Sequence, residues 1–120
     1  MQVKTSELND NALDWAVAKC EGLLKDQGGN LELFGTKLKV HPSSLGVVFT
    51  PSTDWSQGGP IIEQEKISLF EGVNNWSAKT SVDHPLWDKR WEASTPLIAA
   101  MRCYVASKFG DTVEIPDQLL

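Results

Sequence analysis

The sequence predicts an α+β domain in which three helices pack on a small, mainly antiparallel sheet. Three observations carry that prediction. One stretch, Ser94 to Gly110, is a fully punctuated amphipathic helix. Helical and strand-like segments alternate in the order helix, two strands, helix, two strands, helix, with room for a closing edge strand. The links between strands are too short for parallel crossovers throughout. With 120 residues, the whole chain, 1–120, has the size of one domain around one core.

Lys4 to Leu8 reads as a short turn, capped by Thr5. The first full helix runs from about Asp10 to Glu21, with Asn9 or Asp10 as cap and Gly22 as stop. Leu13, Ala16, Val17 and Cys20 form its apolar stripe, and Trp15 falls well off it. Lys25 to Gly35 carries a turn signal, Gly28-Gly29-Asn30, between short apolar pieces. Thr36 to His41 alternates around Leu38 and Val40 and reads as a strand, and Gly46 to Phe49 as a short buried one.

Pro51 to Lys66, PSTDWSQGGPIIEQEK, is the most unusual stretch. Ser52, Thr53 and Asp54 are all good caps. Pro60 cannot donate to the carbonyl of Ser56, and its ring clashes there in a regular helix. Gly58 and Gly59 add an entropic cost. The expectation is a capped turn near Trp55, a break or kink, and a helix beginning close to Pro60. A tight approach of backbone to another element is the physical reason for Gly-Gly-Pro.

Ile67 to Phe70 and Trp76 to Thr80 read as two strands, joined by Gly72-Val73-Asn74-Asn75, which has hairpin chemistry. Residues 82–94 form a long connection, with room for a helical turn from Pro85 to Glu92. The last helix has Ser94 or Thr95 as cap, Pro96 at its first position and Gly110 as stop. Leu97, Met101, Val105 and Phe109 make its stripe, broadened by Ile98 and Tyr104. Thr112 to Ile115 can add an edge strand, and 116–120 form a tail. The expected core is Leu13, Ala16, Val17, Cys20, Val47, Phe49, Ile62, Leu69, Leu97, Ile98, Met101, Val105 and Phe109.

Composition narrows the function. The formal net charge of −5 disfavours nonspecific nucleic-acid binding, which depends on Lys and Arg neutralising phosphates. The start, Met1-Gln2-Val3-Lys4, has no apolar run, so a secretory leader is not expected. No segment approaches the roughly 20 apolar residues of a membrane span. Cys20 and Cys103 then read as reduced core residues of a cytoplasmic protein.

No familiar catalytic or cofactor pattern is present. His41 and His84 lack ligand spacing with each other or with a cysteine, so no metal is expected. There is no strained nucleophile elbow. Gly58-Gly59-Pro60 before a helix can offer amides to an anion, but it lacks the P-loop spacing and lysine. Asp54 reads as a cap, and Glu63 and Glu65 point apart on a helix. Asp54, Gly58 and Gly59 nevertheless define a candidate ligand turn, because irregular backbone often marks a site. Five tryptophans are a high count for this length. Trp87 and Trp91 lie four apart, and with Trp55 they form the candidate contact surface, since Trp is enriched at binding hot spots.

Three runs resemble a known family. They are Leu13-Asp14-Trp15-Ala16-Val17-Ala18-Lys19, Ser52-Thr53-Asp54-Trp55-Ser56-Gln57-Gly58-Gly59-Pro60-Ile61-Ile62-Glu63 and Thr95-Pro96-Leu97-Ile98-Ala99-Ala100-Met101-Arg102. They resemble the NinX family of small proteins from lambdoid bacteriophages and prophages. The starts of the middle and last helices also resemble a wider phage group described as an α-β-α sandwich domain. The resemblance implies that fold and a phage origin, and it carries over no catalytic or binding residue. The resulting expectation is a phage accessory protein without enzymatic activity or cofactor. It would bind a host or phage protein in the host cytoplasm, with no membrane and with homo-oligomers left open. The alternative is a small-ligand or anion site, or an enzyme, at the 54–60 turn.

Overall fold

The computed structural model describes residues 1–40, 48–80 and 90–120. Helix α1 spans Asp10–Glu21, and Gly22, with φ of 70°, closes it by donating to the carbonyls of Ala18 and Lys19. Leu13, Ala16 and Val17 are buried, as the helical period requires, and Asp14 and Ala18 are buried beside them. Asn9 holds the N-cap position but makes no capping bond with its side chain. Trp15 is half-buried, and the Lys19 ammonium lies 5.3 Å from the centre of its ring.

Among the described residues the strands fall into three small antiparallel sheets. Strand β1, Gln2–Lys4, runs antiparallel to the strand at the far end of the chain, β7, Thr112–Glu114, with Val3 opposite Val113. Strands β2, Glu32–Phe34, and β3, Lys37–Lys39, form a hairpin across Gly35. Beneath it sits a satellite cluster of Ala18, Leu24 and Leu38. Strands β4, Ile67–Glu71, and β5, Trp76–Thr80, pair across the expected hairpin, where the Gly72 amide donates to the Asn75 carbonyl at 2.8 Å. Strand β6, Trp91–Ala93, pairs with β5 and completes the three-stranded sheet.

Helix α2 spans Trp55–Glu65 without a break. The expected break at Pro60, with a helix beginning there, is therefore corrected. Pro60 lies inside the helix on its exposed side, at a cost of order 3 kcal/mol. Buried Gly58 and Ile61, one on each side of the proline, hold the helix on its course.

Helix α3, Pro96–Phe109, is the central element: it lies across the three-stranded sheet and also meets α1 and α2. The Thr95 hydroxyl caps it by accepting from the Ile98 amide at 3.1 Å. Contact on several sides explains why Ala99, Ala100, Cys103 and Tyr104 are buried as well as Leu97, Met101 and Val105. Phe109, expected in the core, is 39% exposed: it closes the last turn, beyond the sheet, and the Lys19 ammonium lies 5.6 Å from its ring centre. Cys20, Phe49, Ile62, Leu69 and Ile98 are half-buried and pack against the core. Both cysteines are unbridged, and burial pushes the Cys20 thiol up to about 12.

Three smaller expectations are corrected. Thr5 caps nothing; it is buried and donates its hydroxyl to the Gly110 carbonyl at 2.8 Å, tying the chain start to the end of α3. Trp91 and Glu92 belong to a strand and not to a helical turn, because β5 offers them a pairing edge. Val48 and Phe49 form no strand, although the Phe49 amide donates to the Leu38 carbonyl at 3.0 Å. Val47, Gly46, His41, His84, Trp87 and the remainder of the expected Pro85 turn lie outside the described residues.

Candidate functional site

Val48 to Asp54, which leads into α2, is an irregular segment held by several side-chain bonds. Asp54 sits at the N-cap. Its Oδ1 accepts from the Ser56 amide at 2.9 Å and from the Ser56 hydroxyl at 2.6 Å, and its Oδ2 accepts from Gln57 Nε2 at 3.1 Å. These bonds, those from Ser56 foremost, hold the carboxyl below the usual carboxylate range. Gln57 reaches back from the first turn of the helix. Its Oε1 accepts from the Thr50 amide at 2.7 Å, and its Nε2 also donates to the Val48 carbonyl at 3.0 Å.

A second anchor comes from α1. Asp14, 4% exposed, accepts the Ser52 amide at 2.9 Å across 38 residues of sequence. Burial pushes its carboxyl up to about 6, against the Ser52 contact and the charge of Lys37. The Ser52 hydroxyl, on a residue 1% exposed, lies near enough to lower that value yet makes no bond of hydrogen-bonding geometry.

Gly58 explains part of the Gly-Gly-Pro run. A Cβ there would fall 2.5 Å from Leu97 Cδ1 and 2.5 Å from the Pro51 carbonyl oxygen, so α2 approaches α3 through bare backbone. Gly59 is different, for a Cβ there would meet nothing within 4 Å. The amides of Ser56, Gln57 and Gly58 all bond to Asp54, the first to its side chain and the others to its carbonyl. That leaves little of the first turn to receive an anion. From this braced turn Trp55 projects, 53% exposed.

The other tryptophans lie elsewhere. Trp91, in β6, is half-buried against the core and also lines a cleft of about 520 Å³ with Lys4, Ser6, Arg90, Glu92, Asp111 and Thr112. The Arg90 guanidinium, just before β6, lies 4.0 Å from the centre of the Phe70 ring on β4, the strand at the other edge of β5. No residue of the 54–60 turn lines that cleft. Trp55 and Trp91 therefore belong to two different surface features. Among the described residues, no three His, Cys, Asp or Glu side chains are grouped to hold a metal, and no helix is long and apolar enough to cross a membrane.

Two residues that organise this region were not singled out by sequence. Asp14 had a signal: at 100° per residue it falls between Val17 and Ala18, inside the apolar arc of α1, where a carboxylate must be paired. Arg102 lies on the flank of α3, and its guanidinium bonds to Leu8, Asn9 and Glu92, contacts that no local pattern encodes.

A comparison with curated proteins returned no match. The family described as Bacteriophage P22, NinX, matches residues 4–108, which run from the end of β1 into the last turn of α3 and include α1 and α2 entire. The chain belongs to that NinX family.

Proposed function

We propose that this NinX-family protein is a non-enzymatic phage accessory protein that acts in the host cytoplasm by binding another protein, with Trp55 in the contact. The observation that supports the reading is Trp55 itself. A tryptophan that is 53% exposed at the start of a helix braced by Asp54, Gln57 and Asp14 is a rigid apolar anchor presented to solvent. Such a side chain loses little entropy on binding, and Trp is enriched at hot spots. The acidic net charge of −5 supports a protein partner over nucleic acid. The rival reading, a small ligand or anion at Asp54, Gly58 and Gly59, has the engaged Asp54 oxygens and the close Leu97 contact against it.

A photo-crosslinking residue at position 55, expressed in host cells carrying the phage, tests this. A discrete protein adduct from position 55, absent from position 73 at the exposed hairpin tip, is expected. No adduct from position 55 under infection or lysogeny would overturn the reading.

A further inference from the structure

Asp14 is a buried carboxyl whose partners come from a different part of the chain. Its bond to the Ser52 amide fastens the Val48–Asp54 segment to α1. Among the described residues, the segment's other side-chain bonds join Gln57 to Val48 and Thr50, and Asp54 to Ser56 and Gln57, all within the segment and α2, while the Phe49 amide bonds to the Leu38 carbonyl of β3. The Ser52 hydroxyl beside the carboxyl is buried and unbonded, so a proton on Asp14 has an acceptor waiting within the same pocket. Among the described residues, the charged groups acting on Asp14 are Lys37 on β3, which favours ionisation, and Asp10 on its own helix, which opposes it. The Ser52 contact favours ionisation too, and burial opposes it more strongly than any of them.

We propose that Asp14 and Ser52 form a proton-operated latch: with Asp14 neutral the segment leading to α2 is held against α1, and ionisation of Asp14 releases it. The reason is linkage. Among the described residues an ionised carboxylate in this pocket has the Ser52 amide and the Ser52 hydroxyl beside it as donors but is only 4% exposed, and opening the junction hydrates it. A carboxyl that titrates near 6 when closed and near 3.8 when open shifts the opening equilibrium toward the open form by about 100-fold as pH rises through that range. Opening frees the residues that immediately precede Trp55. The latch stands whether or not Trp55 meets a partner.

Amide hydrogen exchange on the full chain, followed by NMR and corrected for the intrinsic rate, tests it at Ser52 and at Val105 in the core of α3. Between pH 4 and pH 7 the Ser52 protection factor is expected to fall by about 100-fold. At pH 7 it should lie well below that of Val105, showing that the junction opens without the rest of the fold. Asp14→Asn keeps an acceptor for the Ser52 amide and should leave Ser52 protection independent of pH. Equal protection at Ser52 and Val105 at pH 7 would overturn the latch, because the junction would then open only with global unfolding. So would Ser52 protection that does not change with pH, or an Asp14 carboxyl carbon titrating near pH 4. The wild-type measurements decide the matter alone if the Asn variant does not fold.

Discussion

Arg102 donates from Nε to the carbonyl of Leu8, 94 residues earlier, at 2.8 Å. Its two other nitrogens, at 2.7 Å each, reach the Glu92 carbonyl and Asn9 Oδ1. One guanidinium on α3 thus fixes the start of α1 and strand β6. It also explains why Asn9 sits at the N-cap position without capping: its side-chain oxygen is committed to Arg102.

Arg102→Lys should therefore be destabilising despite its conserved charge. A single ammonium cannot reach three acceptors held by a planar fork. Hydrogen bonds to charged groups contribute roughly 1.5–3 kcal/mol each, with the exposed ones worth less. The expected loss is about 2 kcal/mol in urea unfolding. A loss below about 0.5 kcal/mol would mean that the three contacts add nothing beyond charge.

Gly58 and Gly59 should respond in opposite directions to alanine. At Gly58 the new methyl meets Leu97 Cδ1 and the Pro51 carbonyl at 2.5 Å, and the backbone partner cannot move aside cheaply. Overpacking of this kind costs about 1–3 kcal/mol. At Gly59 the methyl meets open space within a helix, so Ala should stabilise by up to about 1 kcal/mol. Thermal unfolding of the two variants checks the pair. Equal effects would show that α2 and α3 are not in backbone contact at Gly58.

The stability of the whole fold should fall as pH rises through the titration of Asp14. Its carboxyl is raised from 3.8 to about 6 by burial, so folding favours the protonated form. The associated stability is complete below pH 4 and is lost as pH rises through 6, a change of about 3 kcal/mol for a rise from 3.8 to about 6 at 1.36 kcal/mol per unit of pKa. Asp14→Asn removes this component. Urea midpoints of wild type and variant, measured at pH 4 and pH 7, isolate it by difference. Parallel pH profiles for the two proteins would show that Asp14 does not titrate in the folded state above its ordinary value.

These effects divide into those the sequence announced and those it could not. Helices α1 and α3 were legible because period and stop agree in each, and α3 has its cap as well: Thr95, Pro96 and Gly110 frame α3, and Gly22 closes α1. The β4–β5 hairpin was legible from Gly72 to Asn75. The candidate turn was recognisable as unusual, and the close approach at Gly58 is the reason that was anticipated. The continuity of α2 was not legible, because Gly58 sits against Leu97 of α3, far along the chain, and no local signal carries that approach. The pairing of β1 with β7 joins the two ends of the chain, and short strands of that kind leave little periodic trace. Phe109 had the right period for α3, but the surface that covers the helix ends before it.

Trp55 and Trp91 should separate contact from core. Trp91 is half-buried, packs on the core cluster and lies in a paired strand opposite Ala78. Trp91→Ala should therefore cost about 2–4 kcal/mol, near the lower part of the range for large aromatics because its ring is only partly enclosed. Trp55 is 53% exposed on the first turn of α2, where a surface substitution usually changes stability by no more than about 0.5 kcal/mol. Trp55→Ala should leave the thermal midpoint nearly unchanged and weaken binding to the partner that the position-55 adduct identifies, read as a rise in Kd against the wild-type chain. A Trp55→Ala variant that unfolds as readily as Trp91→Ala would place that ring in the structural framework of α2 and remove the support for a contact there. A variant that keeps its stability and its partner would show that the partner touches another face, with the Trp91 cleft the next surface to probe.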